Sequence, residues 1–290
     1  MVLASASLLG ARPAASQPAS SPSTAPRIVS LSGVVTEIIH ALGAGDLLVG
    51  VDAASTRPDA ARRLPRVGSA RVATAEAILG VRPTLVIAGG PSDRLPALAA
   101  VRAAGVTVMN LPDAPDVAAV GARIRTVADA IGRGAAGTAL AERIVRETAQ
   151  ASARWRTSRG GPRVLFVYAR GTGTLFASGR GTEIDGLLAL AGARPALPAV
   201  TGFKPITAEM VAASGAEVLL FTDSGLASVG GAAGALAAIP GLAATPAGRD
   251  GRIVALPDDE LLWMGVRLPR SVELLGAALR QSRVAAGTAP

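Results

Sequence analysis

Short apolar runs recur along this chain, set between stretches whose apolar residues repeat at helical spacing. Unbroken apolar runs bounded by Gly, Pro, Ser or Thr read as buried strands. An i, i+3/i+4, i+7 repeat reads as an amphipathic helix. The run Arg27-Ile28-Val29-Ser30-Leu31 predicts a first strand. Val34, Val35, Ile38, Ile39 and Leu42 then form one stripe and predict a helix through Ala41, with Gly43 as its C-cap. Strands are expected at residues 47–51, 85–88 and 106–111, and helices at 74–79, with Thr74 near its N-cap, and at 95–104. Strands alternating with helices at short spacing predict a parallel sheet.

The pattern changes after Pro115. Residues 117–131 and 139–156 predict two helices, broken near Gly132-Arg133-Gly134, and no strand is expected between Leu111 and Val164. Gly160-Gly161-Pro162 marks a turn. Strands at 164–168, 218–222 and 253–256 follow, with helices at 182–191, 208–213 and 269–280 and a glycine-rich loop after 222.

The two halves repeat one another. Thr36-Glu37-Ile38 follows the first strand and Thr182-Glu183-Ile184 follows Arg163-Val164-Leu165-Phe166-Val167. Thr74-Ala75-Glu76 and Thr207-Ala208-Glu209 follow in turn, and the interval from Glu76 to Leu85 equals that from Glu209 to Val218. Repeated α/β halves predict two similar lobes with a cleft between them, where ligand sites concentrate. The expected organisation is a leader over 1–25, an α/β lobe over 26–115, a stiff helical connector over 116–158 and a second α/β lobe over 159–290.

Composition narrows the function classes. Hydrophobic residues make up 50% of the chain and charged residues 17%, which is a globular balance. Aromatics at 2% argue against a stacking platform for nucleic acid. The net charge of +8 is carried almost wholly by arginine, Lys204 being the only lysine. Those arginines are scattered rather than clustered, so an anionic ligand and a merely arginine-rich composition both remain open. With no cysteine there is no disulfide, thiolate site or lipidated N-terminal Cys, and the periplasm stays open to a chain this large. Residues 1–11 are small and apolar and lead to Ala14-Ala15-Ser16 and a Ser/Pro/Ala stretch. This reads as an export leader without its usual positive start, since no Lys or Arg precedes Arg12. No later apolar run is long enough to span a membrane.

Seven segments, in this order and spacing, carry a resemblance: Val34-Val35-Thr36-Glu37-Ile38-Ile39, Leu64-Pro65-Arg66-Val67-Gly68, Ala75-Glu76-Ala77-Ile78-Leu79, Pro83-Thr84-Leu85-Val86, Ser178-Gly179-Arg180-Gly181-Thr182, Gly202-Phe203-Lys204-Pro205-Ile206-Thr207-Ala208-Glu209 and Val229-Gly230-Gly231. From Arg27 onward the chain resembles the helix-linked substrate-binding proteins of ABC transporters, the class III periplasmic binding proteins, and within them the haemin-binding branch. The resemblance implies two Rossmann-like lobes joined by a long α-helix and a monomer in the periplasm. It further implies an ABC permease dimer with its ATPase subunits as partner, and haem as the transported ligand rather than a cofactor. Glu76 and Glu209 would each dock one lobe on a permease subunit. As residues alone, they are first-turn carboxylates facing a helix dipole, and the two readings are compatible.

The resemblance departs at the cleft. Its haem-binding members place a tyrosine after the Val-Gly that follows Leu-Pro, and Ser69 stands there. A serine hydroxyl is a poor ligand for ferric iron, which leaves a corrinoid or a ferric siderophore as alternative cargo and a non-transport scavenger or sensor as an alternative role. Arg71 matches a frequent family arginine and would pair with a propionate; as a residue it also reads as a solvated loop arginine. Tyr168, the only tyrosine, ends the second lobe's first strand, where parallel sheets present ligand sites. It is the candidate iron ligand from the opposite lobe, with Arg170 beside it, or else a tyrosine packed at the domain edge. Trp263 and Phe203 are candidate walls, and Met264 a soft ligand or a core residue. His40 projects away from the apolar stripe, with Thr36, and reads as a surface histidine. One histidine and no cysteine exclude many triads and zinc sites, and no Gly-x-Ser-x-Gly, P-loop or Gly-x-Gly-x-x-Gly is present, so no catalytic constellation emerges.

Overall fold

The structure, a computed structural model, describes residues 25–69, 71–156 and 160–287. The leader expected over 1–25 lies outside these save for its last residue. Four strands, β1 (Ile28–Leu31), β2 (Leu48–Val51), β3 (Leu85–Gly89) and β4 (Thr107–Leu111), form a wholly parallel sheet in the order β2-β1-β3-β4. Helices α1 (Gly33–Ala41), α2 (Ala75–Gly80) and α3 (Ala97–Ala103) connect them.

Two helices follow, α4 (Val117–Ala130) and α5 (Gly134–Trp155). The second begins five residues earlier than the pattern predicts. Gly137 does not break it: a Cβ there would lie 2.1 Å from Ala128 Cβ, so the missing side chain lets α4 and α5 pack closely.

The second sheet contains β5 (Arg163–Ala169), β6 (Leu175–Ser178), β7 (Arg194–Pro195), β8 (Phe203–Pro205), β9 (Val218–Thr222) and β10 (Ile253–Leu256). Its order is β10-β9-β5-β6-β8, with β7 paired to β5. It is mixed: β6 runs antiparallel to β5, and β8 antiparallel to β6. Helices α6 (Glu183–Leu190), α7 (Ala208–Ala213), α8 (Asp223–Ser228), α9 (Gly231–Ala238), α10 (Pro246–Arg249), α11 (Asp258–Leu261) and α12 (Leu268–Gly287) complete it. The expected glycine-rich loop after Thr222 is therefore largely helical.

The α/β architecture with two sheets and an intervening helical segment matches the expectation. Its halves are not separate bodies, because one apolar cluster runs from Ile28 and Ile38 through Ile124 and Ile144 to Phe166, Leu220 and Val272. Helix α1 is buried on nearly every side, which overturns the surface reading of His40. Thr36 is wholly buried, its hydroxyl bonded to those of Ser30 (2.9 Å) and Ser55 (2.7 Å). His40 is half-buried, its Nε2 has no hydrogen-bond partner among the described residues, and burial lowers its pKa.

Candidate functional site

A cleft of about 720 Å³ opens between the two sheets, within the range of small-molecule sites. The start of α1 (Ser32, Val34, Val35), Arg71, Leu111 and Asp113 line it from the first half. Tyr168, Arg170, Phe176, Glu183, Phe203 and Trp263 line it from the second, and Arg123 of α4 lies at its base.

Tyr168 is the penultimate residue of β5, paired across to Phe176 of β6. Arg170 lies just past the strand, its guanidinium carbon 4.8 Å from the centroid of the Tyr168 ring. Such a cation over an aromatic face is attracted by the ring quadrupole. Trp263 reaches the cleft from the segment after α11, and its ring presses on the start of α1: a Cβ on Gly33 would lie 2.5 Å from it. Glycine at position 33 is thus what lets a side chain of one half seal against the backbone of the other. Phe203, 45% exposed, meets Phe166 edge-on at 6.4 Å.

Of the residues named from sequence, Arg71, Tyr168, Arg170, Phe203 and Trp263 share the cleft, and Ser69 does not line it. The reason is a tight turn. The Ser69 carbonyl accepts from the Val72 and Ala73 amides (3.1 and 3.0 Å), and its hydroxyl faces the Arg71 amide. Gly68, at φ 112°, makes that turn possible. Met264 is 1% exposed and belongs to the core, and its carbonyl accepts from Arg123.

Two cleft groups, and one behind Arg170, escape sequence reading as site residues. Arg123 is buried and donates to the Met264 carbonyl (3.0 Å), the Pro112 carbonyl (2.9 Å) and Glu183 Oε1 (3.1 Å). Glu183 also accepts from the Ala114 amide; burial raises its pKa and Arg123 opposes that rise. Asp258, at the start of α11, accepts from Arg170 at 2.8 Å. A charged residue inside the apolar stripe of α4 is the one signal that pointed to Arg123.

Glu76 and Glu209 lie away from the cleft. Each is the second residue of a six-residue helix, exposed, with a threonine N-cap whose hydroxyl accepts an amide at 3.2 Å. No helix among the described residues is long and apolar enough to cross a membrane.

The periplasmic binding protein family matches this chain over residues 28–260. Among solved structures, the periplasmic heme-binding protein RhuT from Roseiflexus sp. RS-1 in apo form is 43% identical, with a TM-score of 0.84 over 89% of this chain and 99% of that one. The periplasmic heme-binding protein BhuT, solved in complex with two hemes, is 39% identical, with a TM-score of 0.80 over 89% of this chain and 98% of that one. Curated relatives are matched over less of their length. An uncharacterized ABC transporter substrate-binding lipoprotein, YvrC of Bacillus subtilis, is 26% identical over 68% of this chain and 63% of its own. The vitamin B12-binding protein of Yersinia pestis is 41% identical over 27% of this chain and 29% of its own.

Proposed function

Because the chain belongs to the periplasmic binding protein family, we propose that it is the substrate-binding component of an ABC importer, and that it captures haemin between its lobes in the periplasm. It hands the ligand to a permease dimer driven by ATPase subunits and works as a monomer. The observation that carries this reading is the Tyr168 phenol at a strand end within the cleft, with the Arg170 cation against its ring. A phenolate is a hard anionic donor suited to ferric iron, and Tyr168 takes the place that Ser69 cannot fill. Arg71, exposed on the opposite wall with no ion-pair partner among the described residues, suits a propionate. Trp263, Phe203 and the apolar start of α1 offer cover for the macrocycle. Glu76 and Glu209 present one carboxylate per half to the permease, acting on orientation and encounter rate more than on affinity.

The likeness to RhuT and BhuT supports haemin over the corrinoid suggested by the shorter vitamin B12-binding match. Titration of purified residues 26–290 with haemin tests the choice. A saturable, shifted Soret band that changes in Tyr168→Phe and weakens in Arg71→Ala is expected. Cobalamin or a ferric siderophore binding where haemin gives no such band would overturn it.

A further inference from the structure

Arg170 is tethered within the cleft. Its Nη1 donates to the Ala169 carbonyl at 2.9 Å and its Nη2 to Asp258 Oδ1 at 2.8 Å. Asp258 is itself fixed: the Ser224 hydroxyl donates to Oδ1 at 2.6 Å and the Ser224 amide to Oδ2 at 3.2 Å. A continuous chain of contacts therefore runs from Ser224, at the start of α8, through Asp258 and Arg170 to the ring of Tyr168.

An arginine has several rotatable bonds, and holding it in one place costs side-chain entropy of up to about 2 kcal/mol. Two acceptors on different guanidinium nitrogens, one of them a carboxylate locked by a second element, offset that cost. Burial alone would raise the Asp258 pKa; the Ser224 hydrogen bonds and Arg170 lower it below the ordinary value, so the anchor is charged at neutral pH. The other arginines of the cleft differ. Arg123 is paired with Glu183 and two carbonyls, and Arg71 has no ion pair among the described residues.

Resting on the haemin reading above, we propose that Asp258, held by Ser224, is a positioning residue: it keeps the Arg170 cation across the Tyr168 ring and away from the ligand's carboxylates, so that the arginine serves the iron-bound phenolate while Arg71 takes a propionate. The further charged group beside this chain is Asp223, next to Ser224 and with its pKa raised by burial and by Asp258; Asp113 and the Arg123–Glu183 pair line the same cleft. Among the described residues only Asp258 pairs with Arg170 as an ion.

The test uses ferric haemin on the full-length mature chain in wild type, Asp258→Asn, Ser224→Ala and Tyr168→Phe. The readouts are the phenolate-to-iron charge-transfer band and the rate of haemin loss to an excess of a haem-scavenging apoprotein. Loss of the Arg170 placement in Asp258→Asn is expected to shift the band and to speed haemin loss several-fold. Ser224→Ala is expected to move both readouts the same way by less, which covers the case of a poorly folded Asp258→Asn. A band and loss rate unchanged in both variants, while Tyr168→Phe abolishes the band, would sink this inference and leave haemin binding intact. Slower haemin loss in Asp258→Asn would also overturn it, because an Arg170 released from Asp258 would then hold the ligand better than a tethered one. A wild-type protein with no charge-transfer band would remove both readings together.

Discussion

The chain carries two duplicated motifs, and the structure treats them differently. The Thr-Ala-Glu copies are the same object twice. Thr74 and Thr207 each cap a six-residue helix through an identical 3.2 Å bond, and Glu76 and Glu209 each stand exposed at its second position. The Thr-Glu-Ile copies are not. Thr182 is an N-cap and Glu183 the first helical residue, whereas Thr36 and Glu37 lie in the body of α1, which begins at Gly33. Both glutamates nevertheless face a distant arginine: Glu37 meets Arg267 at 2.9 Å and Glu183 meets Arg123 at 3.1 Å. A motif at the surface keeps its local role because a cap needs only its own turn. A motif in the interior is defined by what packs on it.

Breaking the interior pairs should produce the largest effects, and unequal ones. Arg267 also bonds Glu260 at 2.6 Å and Asp259 at 3.0 Å, so it gathers three carboxylates from α1 and α11. Arg267→Ala leaves Glu37, with its side chain 8% exposed, without an ion-pair partner among the described residues, while Glu260 keeps Arg270 and the Ser271 hydroxyl. Removing one partner of a buried pair costs about 3–5 kcal/mol, and urea unfolding should show a loss of that size. Arg123→Ala should cost less, about 2–3 kcal/mol, because Glu183 is more accessible and keeps the Ala114 amide. Equal losses would mean that the two interior copies are energetically equivalent despite their different registers.

The same pair gives a pH signature. Burial raises the pKa of Glu37 and Glu183 above the ordinary 4.5, the attached arginines only opposing it. Between 4.5 and the raised value the folded chain binds more protons than the unfolded one, so each group lowers stability as pH rises through that window. Glu183→Gln removes one such group. Its stability relative to wild type should improve as pH rises from 4 through the window, then level off, in unfolding curves taken at several pH values. A difference independent of pH would mean that Arg123 fully offsets the burial of Glu183.

How much of this was legible beforehand follows the same divide. The parallel strands β1, β3, β5 and β9 announced themselves as apolar runs, and the Thr74 cap as a threonine just before an acidic first turn. Tyr168 was findable because strand ends face clefts. The helices between Thr222 and Arg252 were not, because α9 (Gly-Ala-Ala-Gly-Ala-Leu-Ala-Ala) has almost no contrast between its faces. Nor were the short antiparallel strands β6 and β8, which satisfy an edge rather than a hydrophobic pattern. Arg123 and Asp258 find their partners 60 and 88 residues away, a distance that no local spacing encodes. Ser69 does not line the cleft for the opposite reason: its surroundings are set by a local turn, which the residue types around it do not announce.

The exposed copies should respond least in stability and yet matter in transport. Losing a threonine cap costs about 1 kcal/mol, and Thr74→Ala and Thr207→Ala should match one another closely, since their caps are the same. Glu76→Gln and Glu209→Gln should cost at most about 0.5 kcal/mol each, the usual worth of a first-turn carboxylate. If these two residues only serve their helices, the double variant will import haemin into permease-containing vesicles at the wild-type rate. If they meet cations on the permease, import will fall, and the deficit will be largest at low ionic strength, where long-range steering is unscreened. Asymmetry is the informative outcome. A single variant that accounts for the whole loss would show that the permease reads one half of this protein more than the other, although the two helices are built alike.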